Sequence, residues 1–134
     1  MNGSCFCGGV QFEVRQPIPN LYQCHCSMCR KVSGAAANAA FVVPKENFAW
    51  LAGESLIKSY SRPTGYRNDF CAICGCSLPN KLDSEETVWI PAGLLDGPTF
   101  STIAKHFFVG SKADWDDIGG KGVQYEELPI KSGT

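Results

Sequence analysis

The sequence predicts a mainly β protein with few short helices, folded around clustered cysteines. Two observations carry this. Short runs alternate apolar and polar residues with a period of two and are closed by proline or glycine, as half-buried strands are. Eight cysteines stand in three tight groups, and thiols that close together are usually held by a metal.

Taken in order, Cys5-Phe6-Cys7-Gly8-Gly9 opens the chain. In an extended segment Cys5 and Cys7 share a face and can grip one ion, and Gly8 and Gly9 permit a turn. Val10 to Arg15 is a strand ended by Pro17 and Pro19. Leu21 to Cys26 runs extended, placing Cys24 and Cys26 on one face and His25 on the other. Ser27 is positioned to cap a helical turn through Met28 to Lys31, which returns Cys29 to Cys26. Gly34 to Val43 reads as a strand of small residues, stopped by Pro44. Further strands follow over Asn47–Leu51, Leu56–Tyr60, Thr87–Ile90 and Ile103–Val109, with turns at Gly53 and Pro63-Thr64-Gly65, and Tyr66 to Phe70 leads into the next cysteines. His106 is a lone histidine among apolar neighbours and reads as structural. Trp115, with Asp114, Asp116 and Asp117, falls in a loop or short helical turn. Gly119-Gly120 and the end, 130–134, read as flexible.

A chain of 134 residues fits a single domain, 1–134. Its hydrophobic fraction of 44% and charged fraction of 19% are those of an ordinary globular protein. A net charge of −1 argues against nucleic acid or an anionic membrane as partner. No apolar run nears the roughly 20 residues of a membrane span. No basic-then-apolar leader is visible, so the cytoplasm is the expected compartment. A reducing cytoplasm argues against disulfides.

The chemistry centres on Cys24-His25-Cys26-Ser27-Met28-Cys29-Arg30. Three thiolates fill three corners of a zinc tetrahedron, and an open fourth corner separates a reactive zinc from a structural one. A structural knuckle with its fourth ligand elsewhere stands beside that reading. Arg30 and Lys31 could balance the negative charge of such a centre or bind an acidic substrate; a solvated surface pair is equally open. His25 is either a hydrogen-bonded structural residue or a base. Cys71-Ala72-Ile73-Cys74-Gly75 is a knuckle pattern, and with Cys5 and Cys7 it makes a closed set of four thiolates. A redox dithiol would want a βαβ context that is absent. Cys76 could serve either site as a ligand or lie buried; a free thiol near the metals is the favoured reading.

Together these blocks, with Gly3-Ser4 before Cys5, Ser33-Gly34, Phe70, and Phe108-Val109-Gly110-Ser111-Lys112-Ala113 with Trp115, resemble the glutathione-dependent formaldehyde-activating family, which includes centromere protein V. The resemblance runs from about Gly3 to Tyr125. It implies coiled antiparallel sheets holding two zinc ions per chain. By that likeness Cys5, Cys7, Cys71 and Cys74 hold a structural zinc, and Cys24, Cys26 and Cys29 a reactive one. The implied activity is a carbon–sulfur lyase reaction that forms or cleaves S-hydroxymethylglutathione, with a small thiol such as glutathione as partner. Arg30, Lys31 and His25 are the candidate substrate contacts. The alternative is a non-enzymatic zinc module or thiol carrier. Two departures stand out: the chain is shorter than the namesake type, and Cys76 occupies a position where the family often has a non-thiol residue.

Overall fold

The computed structural model describes residues 1–82 and 86–129. The end at 130–134, read from the sequence as flexible, lies outside the described residues. The elements are β1 (Asn2–Ser4), β2 (Gln11–Val14), β3 (Leu21–Cys24), α1 (Ser27–Ser33), β4 (Asn38–Pro44), β5 (Phe48–Ala52), β6 (Ile57–Ser61), β7 (Arg67–Cys71), β8 (Ser77–Leu78), β9 (Asn80–Lys81), β10 (Thr87–Pro91), β11 (Ile103–Phe107) and β12 (Val123–Gln124). The protein is mainly β, and α1 is the one α-helix among the described residues. The backbone forms two compact units, Met1–Pro19 with Ala40–Phe100 and Asn20–Ala39 with Ser101–Thr134.

In the first unit β2 is the clearest case of pattern becoming structure. Phe12 and Val14 point inward and are buried, while Gln11 is exposed. β2 pairs antiparallel with β1 and β5, opposing Phe12 to Trp50 and Val14 to Phe48. The rings of Phe12 and Phe48 stack at 5.5 Å, and Trp50 meets Phe12 edge-on at 6.3 Å, arrangements favoured by the ring quadrupoles. The turn after β5 depends on Gly53 at φ +82. A side chain there would run into the carbonyl of Gly9. Antiparallel pairs also link β6 to β7, β7 to β8, β4 to β10 and β10 to β9.

In the second unit the expected antiparallel pairing does not hold. β11 runs parallel to β3, with Ile103 beside Leu21 and Phe107 beside Cys24, and parallel to β12. Antiparallel neighbours suit a hairpin, whereas β3 and β11 come from distant parts of the chain, so no tight turn dictates their direction.

Three local expectations change. Cys5 to Gly8 is a turn, closed by the Gly8 amide on the Cys5 carbonyl at 3.0 Å, rather than an extended segment. Cys26, rather than Ser27, caps α1: its sulfur accepts from the Cys29 amide. Gly34 is left-handed at φ +64 and ends α1 with its amide on the Arg30 carbonyl, so β4 begins only at Asn38. Glycine reaches that conformation without strain, and a strand cannot continue through it.

Candidate metal centres

The first unit gathers Cys5, Cys7, Cys71 and Cys74, with all four sulfurs within 4.8 Å of one another. The Cys5 and Cys7 sulfurs are 3.6 Å apart and those of Cys7 and Cys71 3.8 Å. Sulfurs about 2.3 Å from a tetrahedral zinc stand about 3.8 Å from each other. The donor set therefore fits such an ion. Two turns supply it, Cys5–Gly8 and the one after β7, where the Gly75 amide returns to the Cys71 carbonyl at 2.8 Å. Gly75 is left-handed at φ +75.

Backbone amides aimed at sulfur favour thiolates here. The Cys76 amide, then the Cys7 amide, bring Cys74 down to about 6. Burial works against Cys5, yet the Val10 amide at 3.3 Å and the thiols of Cys7 and Cys71 carry it below the usual thiol range. For Cys7 the Gly9 amide lowers the pKa, but Cys5, burial, Cys74 and Cys71 together push it up to about 11. Cys76 stays outside the four-sulfur set. It is half-buried, its thiol directed at the Ser77 carbonyl, and burial raises its pKa.

The second unit gathers Cys24, Cys26 and Cys29, again within 4.8 Å. Cys24 comes from the end of β3, Cys26 is the helix cap, and Cys29 lies one turn into α1. The Cys29 thiol donates to Cys24 and, with the Cys26 amide, holds Cys24 near 6 against the opposing effect of burial. Donating to Cys24, then burial, raises Cys29 far above the usual range. Among the described residues no fourth His, Cys, Asp or Glu completes the set. Arg30 follows directly, and its Nε is buried with no hydrogen-bond partner. Lys31 is exposed on the same helix.

His25 is buried, 1% exposed. Its Nδ1 lies 3.0 Å from Asp116 Oδ2 and its Nε2 3.0 Å from His106 Nδ1. Both ring nitrogens are therefore taken. His106 is accordingly not a lone histidine. It, His25, Asp116, Gln23, Ala36 and Lys121 line an open cleft of about 1000 Å³ within this unit. Asp116 is the residue that sequence reasoning missed. It stands 91 positions from His25, and no local pattern announces such a pairing.

A mainly β chain bearing a closed set of four thiols and an open set of three is, by class, a protein with two thiolate centres. The family profile described as "Glutathione-dependent formaldehyde-activating enzyme" matches residues 1–111, and the chain belongs to that family. A Halomonas elongata protein, provisionally named a glutathione-dependent formaldehyde-activating enzyme, is 45% identical over 40 residues. That match covers 29% of this chain and 26% of the relative. The crystal structure of a Rhodobacter sphaeroides protein is similar at a TM-score of 0.61 and 24% identity, covering 73% of this chain and 90% of that one. This second likeness concerns the fold alone.

Proposed function

We propose that the protein is a zinc-dependent carbon–sulfur lyase acting on a small thiol adduct such as S-hydroxymethylglutathione. In this reading Cys5, Cys7, Cys71 and Cys74 hold a structural zinc, and Cys24, Cys26 and Cys29 a reactive one. The supporting observation is the division of seven thiols into a closed four and an open three, with the unpartnered Nε of Arg30 next in sequence to the open set. A buried donor without an acceptor calls for an explanation, and a substrate carboxylate supplies one. Zinc at the open set would draw the proton from an incoming thiol and make its sulfur nucleophilic.

The chain's own residues do the rest. Cys24, Cys26 and Cys29 would hold the ion through three sulfurs, leaving one ligand position for a substrate thiol. Arg30 offers a fixed, planar donor for a carboxylate. Lys31, exposed one residue on, attracts the second carboxylate. The sulfur–carbon bond forms as the thiolate attacks the carbonyl carbon of formaldehyde, and the thiol's proton ends on the carbonyl oxygen. The reverse reaction breaks that bond and restores thiol and aldehyde. His25 has both ring nitrogens engaged, so its part is support rather than contact. We place the chain in the cytoplasm as one working domain, since free thiols persist in a reducing compartment.

Calorimetry with glutathione and S-methylglutathione tests the reading. The free thiol binds more tightly, because a methylated sulfur cannot become a thiolate. Cys26→Ala abolishes that difference while the protein stays folded. Added formaldehyde then separates turnover from simple carriage. Equal affinity for the two ligands would leave a non-enzymatic zinc module as the better account.

A further inference from the structure

His25 sits between two of the three clustered thiols, yet its side chain turns away from them. Along an extended run successive side chains alternate, and His25 lines the cleft together with Gln23 while the neighbouring cysteines gather elsewhere. Three bonds fix it there. Its amide donates to the Phe107 carbonyl at 2.9 Å. A carboxylate only accepts, so Nδ1 donates to Asp116 Oδ2. Its Nε2 is hydrogen-bonded to His106 Nδ1 at 3.0 Å. Asp116 is itself anchored, its amide on the Ala113 carbonyl at 3.1 Å and its own carbonyl on Lys112 Nζ at 2.9 Å. His106 belongs to β11, which pairs with β3.

We infer that Asp116 and His106 are positioning residues for the three-thiol centre. They clamp His25 from behind the loop and so set the backbone from which Cys24 and Cys26 project. The inference rests on the proposed reading of Cys24, Cys26 and Cys29 as a metal centre. The three sulfurs lie within 4.8 Å of one another, and an unclamped loop relaxes away from the geometry a metal needs. Ordering such a loop at the moment of binding carries an entropy cost that a preset loop has already met. Groups that orient metal ligands from outside the coordination sphere are worth roughly 10- to 100-fold in affinity.

A buried polar cluster could also serve stability alone, so the test must resolve the two metal sites. Zinc is withdrawn from the full-length, zinc-loaded protein with a chromogenic chelator, and Cys29→Ser identifies the phase that belongs to the three-thiol centre. Asp116→Ala weakens that phase by about 10- to 100-fold and leaves the four-thiol phase unchanged. Asp116→Asn, which keeps an oxygen acceptor and the shape, weakens it less and covers the case in which the alanine variant fails to fold. Equal zinc retention in wild type and both folded variants would overturn the inference. So would a parallel loss at both sites that tracks the melting temperature. A wild type that loads only the four-thiol site overturns instead the metal-centre reading beneath it, which separates the two failures.

Discussion

Burial holds His106 below the ordinary imidazole range, with His25 adding to the effect and Asp116 opposing it. A base whose folded pKa lies below its unfolded value binds fewer protons when folded, so stability rises with pH between the two. The stabilisation is complete above the unfolded value, about 6.5, and declines as pH falls toward the folded one. Urea midpoints should therefore drop more steeply for wild type than for His106→Gln between about pH 7.5 and about pH 5.5. Metal content is read at each pH, so that acid release of metal is kept apart from the titration of the ring; matching slopes at equal metal content would count against it. Arg30 gives a second prediction at this scale. An unpaired buried donor costs about 1–3 kcal/mol. Arg30→Met should raise the stability of the ligand-free protein and weaken glutathione binding, read by thermal melts and calorimetry on the same samples.

At the scale of elements, the turns govern where the sulfurs lie. The Cys5–Gly8 turn lies just before β2, which packs against β5, and the close approach of Gly53 to Gly9 joins the two ends of that arrangement. Gly53→Ala combines a left-handed φ with a collision against backbone, and strain of this kind costs at least about 1–3 kcal/mol. Chemical denaturation should show that loss, with chelator resistance of the four-thiol zinc falling with it. An alanine variant as stable as wild type would mean the turn relaxes freely. Phe12, fully buried between Phe48 and Trp50, sets the scale for comparison, since Phe→Ala in a core costs about 3–5 kcal/mol.

For the molecule as a whole, the division of thiols predicts two zinc ions per chain by elemental analysis, the three-thiol ion being the more easily lost. It also orders two variants. Cys71 is fully buried in the apolar cluster with Cys5, Val10 and Leu78, and its set joins segments more than sixty residues apart. Loss of a structural metal removes folding free energy directly. Thermal melts should show Cys71→Ser destabilising far more than Cys29→Ser, and the opposite order would mean that the roles of the two centres are exchanged.

The sequence alone determined the mainly β class, the family, and the two groups of cysteines. Period-two alternation at Phe12 and Val14 and the two-residue gaps of Cys26–Cys29 and Cys71–Cys74 are local signals, and they speak of local geometry. Only the tertiary structure decided the parallel pairing of β3 with β11, the cap at Cys26, and the Asp116–His25–His106 chain. Hydrophobic patterning says which face of a strand is buried, not which distant strand lies beside it. Likewise a histidine's hydrogen-bond partners depend on where the remote loop carrying Asp116 comes to rest, and that follows from packing rather than from spacing along the chain.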